Sequence, residues 1–275
     1  MGTLFLVATP IGNLEDISAR ALRTLREALL IAAEDTRITR KLLTHYDIHT
    51  PLVSYFEHNK LSRLDLILGK LSEGDVALVS DAGTPALNDP GYELVRAAVD
   101  GGHRISTIPG PTAPIAALVC SGLPTDAFLF LGYLPRKRPE RRAALQRVAD
   151  APYTLVFLET PHRLGEALVD LEDVLGNRKA ALARELTKLH EEVWRGTLEE
   201  AQKHFQSPRG EFVLVIHGKE SEPQARWSTA QLREVIEERL AAGQTLARAA
   251  AELTERSGWA RRDIYRLAAK EEPRS

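Results

Sequence analysis

Residues 4–33 read LFLVATPIGNLEDISARALRTLREALLIAA. An apolar run, Leu4 to Ala8, breaks at Thr9-Pro10. Ser18 stands where a helix cap belongs, and Leu22, Leu25 and Leu29 then repeat at helical spacing before a second apolar run, Leu30 to Ala33. Strand, helix, strand in thirty residues is a βαβ unit, which implies parallel strands. Further β-like runs follow at Leu52 to Tyr55, Val76 to Ser80 and Ile105 to Ile108. The first half therefore reads as βα units around a largely parallel sheet.

The pattern breaks at Ser121 to Pro124 and a second set of elements begins at Phe128 to Leu131. Strands are expected at Tyr153 to Leu158, Ala180 to Arg184, Glu191 to Arg195 and Phe212 to His217, with helices near 139–149, 162–175 and 197–205. This half reads as α+β with a more antiparallel sheet. A polar linker, Lys219 to Arg226, leads to three helical segments: Thr229 to Ala241, Leu246 to Arg256 and Arg261 to Ala269. The expected domains are 1–117, 118–221, and a linker with a helix-turn-helix-like tail over 222–275.

The chain has 275 residues, net charge −2, 44% hydrophobic and 27% charged residues, which excludes disorder and fibre. One cysteine, Cys120, permits neither an internal disulfide nor a cysteine-based zinc site. No metal is expected. The longest apolar stretches fall short of the ~20 residues a membrane helix needs, and no leader opens the chain, so a cytoplasmic protein is expected.

The phosphate loop GxxxxGK[ST], the dinucleotide fingerprint GxGxxG, the zincin HExxH and the hydrolase elbow GxSxG are all missing. Instead, special turns follow three strands: Thr9 to Asn13, Ser80 to Pro85, and Pro109 to Ala113. Strand C-terminal ends line the ligand crevice of an open α/β sheet, so three such turns point to one pocket. Thr112 can cap the following helix, with free N–H groups above the sheet suited to a carboxylate. Asp81 either accepts hydrogen bonds from a ligand or caps its own turn.

The runs Val7 to Leu14, Ala33 to Arg37, Val79 to Pro85 with Asp89 to Gly91, Glu159 to Arg163, and Arg184 to Lys188 resemble, in order, the motifs of the rRNA-modifying branch of the tetrapyrrole methylase superfamily. The resemblance covers essentially the whole chain. It implies a two-domain α/β class III methyltransferase fold with a C-terminal helical extension, and S-adenosylmethionine in the cleft between the domains. It also implies a homodimer that methylates the ribose 2′-hydroxyl of a cytidine in the decoding region of bacterial 16S rRNA. By the same resemblance the cofactor pocket falls on Pro10, Ser80, Asp81, Thr84, Thr112, Ala113, Leu158 and Leu186. Where tetrapyrrole-synthesising relatives carry a GxGxGD turn, this chain has Thr9 to Leu14, which implies a different acceptor.

A 2′-hydroxyl is a poor nucleophile and must be oriented, with a base or hydrogen-bond partner beside it. Asp35, Glu159, Glu185 and Lys188 are the expected catalytic helpers. For RNA, Arg37 and Arg163 read as phosphate contacts or as ion-pair partners of Asp35 and Glu159. Arg136, Lys137, Arg138, Arg141, Arg142 and Arg147 face a single carboxylate, Glu140, within their own segment. In the tail, Arg261 and Arg262 beside Tyr265 form a further expected contact. The expected partner is 16S rRNA or the small ribosomal subunit. Two other readings compete: a methyltransferase acting on a tetrapyrrole or a protein side chain, and a non-catalytic RNA-binding assembly factor.

Overall fold

The computed structural model describes residues 2–220 and 226–269. It divides into a large unit up to Lys219 and a smaller one from Glu220.

Five strands make the first sheet: β1 (Thr3–Val7), β2 (Leu30–Ala33), β3 (Leu52–Ser54), β4 (Val76–Val79) and β5 (Arg104–Ile108). They run parallel in the order β3-β2-β4-β1-β5. Every residue of β2 and β4 is buried, which is why these strands read as continuous apolar runs rather than alternating ones. Helices α1 (Ala19–Glu27), α2 (Thr36–His45), α3 (Lys60–Glu73) and α4 (Tyr92–Asp100) fill the connections. The Ser18 hydroxyl caps α1 by accepting from the Ala21 amide at 3.0 Å. The helix stops at Glu27, so Leu29 lies beyond it and is exposed, unlike the buried Leu25.

β1 and β4 are neighbours, but the chain leaves β1 toward β2 and leaves β4 toward β5, on opposite sides of the pair. Such a reversal opens a crevice at the strand C-terminal ends, where the turns after Val7 and Val79 lie.

The second sheet contains β6 (Phe128–Tyr133), β7 (Thr154–Glu159), β8 (Lys179–Arg184), β9 (Glu192–Thr197) and β10 (Phe212–Ile216), in the order β6-β7-β10-β8-β9. Only β6 and β7 are parallel; the other pairs are antiparallel. Its central strands alternate strictly. Phe157, Leu182 and Leu214 face one core, with α6 (Arg138–Gln146), α7 (Pro161–Leu175) and α8 (Leu198–His204). Val156, Ala183 and Val215 face the other core, with α5 (Ala113–Ser121) and Ile11. The division expected near residue 118 falls inside α5. Ala117 and Leu118 of that helix pack on the second sheet, and the passage from one sheet to the other lies at the turn before it.

The smaller unit holds α9 (Thr229–Ala241), α10 (Leu246–Ser257) and α11 (Arg261–Ala269) around Leu232, Ile236, Leu253 and Ile264. Ser228 and Gln231 form a capping box at the start of α9, and Gly258 ends α10 in the left-handed conformation. Trp259 donates to the Trp227 carbonyl at 2.7 Å, so both are packing residues. Most of the expected linker, residues 221–225, lies outside the described residues.

Candidate active site

The three turns meet. Thr9 and Gly83 exchange backbone hydrogen bonds of 2.9 and 3.0 Å, joining the turn after β1 to the turn after β4. Thr84 Oγ1 donates to the Pro111 carbonyl at 3.3 Å, joining the latter to the turn after β5. The end of β2 is tied in as well. The Asp35 amide donates to Asp81 Oδ1 at 2.9 Å, and the Asp81 amide donates to Glu34 Oε2 at 3.3 Å. One Asp81 oxygen is therefore committed to positioning its neighbour.

Above these turns lies a cavity of about 340 Å³, within the usual range for small-molecule sites. Thr84, Thr112 and Ala113 wall it from the first sheet, and Leu158, Leu186, Glu185 and Lys188 from the second. Pro10, Ser80 and Asp81 line an adjoining groove of about 310 Å³, which shares Ile11 and Ala82 with the cavity. All eight expected cofactor residues are thus gathered at one place, divided between two connected hollows.

The backbone at the rim is unusual. Ala86, Asn88, Glu185 and Thr187 all have φ between 50° and 67°, a conformation that L-residues adopt at a cost. They belong to the two loops that bring the sheets together. Gly12, in the turn after β1, explains how closely the loop after β8 packs on it. A Cβ there would come within 2.6 Å of Lys188 Cγ and 2.8 Å of the Leu186 carbonyl oxygen. Gly132, at the bulge in β6, likewise makes room for the Asn88 amide.

The cavity is acidic. Burial pushes the Asp89 carboxyl up to about 6, opposed by a hydrogen bond from Ser80 and reinforced by the charges of Asp81 and Glu211. Burial, then Glu211 and Asp89, push the Tyr133 hydroxyl up to about 12. A carboxyl raised by burial and by neighbouring carboxylates marks a site suited to a cation. Thr112 heads α5, but its side chain does not cap the helix as expected, and its buried hydroxyl has no partner. A ligand with hydrogen-bonding groups would satisfy it. An acidic, partly apolar cavity with an orphan hydroxyl fits a molecule carrying both an adenosine and a sulfonium.

Among the expected catalytic residues, Glu185 and Lys188 line the cavity and pair at 3.0 Å. Asp35 does not line it. Hydrogen bonds from the Arg37 side chain and amide hold its carboxyl at about 2. Glu159 is fully buried, accepts from the Thr160 amide at 2.8 Å and pairs with Arg163 at 3.1 Å. Both carboxylates are engaged by neighbouring arginines, and neither lines the cavity.

Of the expected RNA contacts, Arg141 is the one the structure overturns. Arg141 is 1% exposed and bonds Asp170 at 2.8 Å, so it cannot meet a phosphate. Arg138 and Arg142 bond the same buried Asp170 and also the half-exposed Asp173. The acids that neutralise this run come from α7, about thirty residues downstream, where no local reading finds them. Arg136 remains exposed. Arg163 donates to the Leu134 and Pro135 carbonyls besides pairing with Glu159. Arg37 pairs with Asp35 at 2.6 Å yet stays 86% exposed. In the tail, Arg262 lies 3.8 Å from Asp263, and Arg261 lies over the Tyr265 ring. Asp89, Tyr133 and Glu211 were not expected at the site. Asp89 opens the Asp89-Pro90-Gly91 turn, but for Glu211 only the antiparallel return of β10 brings it there.

Residues 3–202 match the family described as Tetrapyrrole (Corrin/Porphyrin) Methylases. A protein of Halalkalibacterium halodurans named ribosomal RNA small subunit methyltransferase I is 48% identical over 272 residues, covering 97% of this chain and 94% of that one. Its namesake from Thermotoga maritima is 48% identical over 223 residues, covering 80% of this chain and all of that one. Among solved structures, Thermus thermophilus uroporphyrin-III C-methyltransferase complexed with S-adenyl homocysteine aligns with a TM-score of 0.55 at 20% identity, covering 79% of this chain and 97% of that one.

Proposed function

The chain belongs to the tetrapyrrole methylase family, and we propose that it transfers the methyl group of S-adenosylmethionine to small-subunit rRNA, at the ribose 2′-hydroxyl of a cytidine in the decoding region. The names of its full-length relatives support the rRNA acceptor. The observation that carries the site is the joining of three strand-end turns beneath one acidic cavity.

When bound, the cofactor supplies an electrophilic methyl on a positively charged sulfur. Thr84, Thr112 and Ala113 would hold it from one side and Leu158 and Leu186 from the other. Asp89 and Glu211 lower the energy of positive charge in the cavity. Lys188 is oriented by Glu185, so its Nζ can donate to an acceptor oxygen as negative charge grows there, while Glu185 takes up the proton. Leu158 and Leu186 restrict water around the reacting atoms.

We also propose a cytoplasmic homodimer. Helix α5, APIAALVCS, is apolar on nearly every face, yet Ile115 and Val119 are 40% and 65% exposed. Such a helix is ordinarily covered on all sides, and a second copy would cover this face. No helix among the described residues is long and apolar enough to cross a membrane.

Incubation with isotopically labelled S-adenosylmethionine and unmethylated small subunits tests the reaction. Nucleoside mass spectrometry should find the label in 2′-O-methylcytidine. Label on a base, or on no RNA, overturns the proposal.

A further inference from the structure

We infer that α2 carries a phosphate track for the RNA acceptor, formed by Arg37, Arg40 and Lys41, and that the groove beside it receives the target nucleoside. The inference rests on the rRNA reading and extends it from Arg37 to Arg40 and Lys41, which no motif singles out.

Arg37, Arg40, Lys41, Thr44 and His45 recur at three- and four-residue spacing, so they share one face of α2 and line a shallow surface depression. Thr39 and Leu43, on the other face, are buried. The helix sequence TRITRKLLTH contains no carboxylate. Among the described residues neither Arg40 nor Lys41 has an acidic partner within ion-pairing distance, in contrast to the neutralised run at 138–142. Exposed cations left unpaired along one ridge are the complement of a polyanion.

The ridge leads to the reaction centre. Lys41 lines both the surface depression and the groove, and Ile11 and Ala82 line both the groove and the cavity. The groove's apolar surface includes Leu14 and Ile38, each about two-fifths exposed, which offers a base something to stack against. Its polar lining includes Lys41 and Asp81, and the Asp81 carboxylate is here assigned to a sugar hydroxyl of the nucleoside instead of to the cofactor. A strand with its phosphates on α2 and one nucleoside in the groove places a ribose at the junction with the cavity.

Arg40→Ala/Lys41→Ala tests this, since both side chains are exposed and the fold does not need them. For the double variant, affinity for small subunits, measured by filter binding, should fall about tenfold at moderate salt. Two lost phosphate contacts should also make the plot of log affinity against log salt shallower by about 1.5. S-adenosylhomocysteine affinity should be unchanged. Unaltered RNA affinity and salt slope overturn the track. If the native chain transfers no methyl to rRNA, the methyltransferase reading fails by that result, while filter binding still decides the track independently.

Discussion

Arg141 sits in the most cationic run of the chain and is nonetheless 1% exposed, bonded to an equally buried Asp170. Removing one member of a buried pair strands the other charge. Arg141→Ala should therefore lower folding stability by about 3 kcal/mol, near the bottom of the usual range because Arg138 and Arg142 stay on Asp170. Denaturant unfolding measures this, and RNA affinity should not change its salt dependence. Thr112 is the opposite case, since its buried hydroxyl has no partner to lose. Thr112→Val should leave the melting temperature unchanged or slightly higher. Calorimetry should show cofactor affinity reduced about tenfold, or ~1.4 kcal/mol. Individual roles were the least legible feature of the sequence. Arg141 and Arg136 are both arginines in the same run, and only the distant acids of α7 separate a core residue from a surface one.

The loops are where the two sheets become one site. Gly12 lies beneath residues 186–188, and an added methyl would need space that backbone atoms occupy. Gly12→Ala should cost about 1–3 kcal/mol of stability through overpacking. It should also weaken cofactor binding at least tenfold, as followed by thermal melts and calorimetry. The turn after β4 carries the pH response. Asp89 ionises near 6 in the folded chain against 3.8 ordinarily, so the unfolded chain loses this proton first. Stability should then decline as pH rises from about 4 and level off above about 6. A positively charged ligand prefers the ionised form, so S-adenosylmethionine affinity should fall as pH drops through about 6. S-adenosylhomocysteine, without the charged sulfur, should respond less, and Asp89→Asn should flatten the profile. The turns themselves were legible, because Pro and Gly directly after an apolar run break the strand there. Where helices end was less so, as Leu29 shows by following the apolar spacing of α1 from outside the helix.

At the scale of the whole molecule, the order of elements could be read because parallel and antiparallel strands bury differently. β2 and β4 are apolar throughout, while β7, β8 and β10 alternate between two cores. The place of α5 could not be read, since an apolar helix between two sheets packs on either. The helical unit from Glu220 has its own core around Leu232 and Ile264. A chain ending at Lys219 should therefore unfold cooperatively and bind S-adenosylhomocysteine with unchanged affinity, as a melt and a titration will show. Everything turns on whether the strand-end turns of the first sheet and the loop after β8 enclose the methyl donor together. Photocrosslinking a labelled S-adenosylmethionine analogue to the native chain, followed by peptide mapping, tests this most directly. Label is expected in peptides containing residues 80–91, 109–115 or 184–188, abolished by excess S-adenosylhomocysteine. Label that resists this competition, or that is confined to the opposite end of the first sheet around residues 47–51 and 73–75, would contradict it.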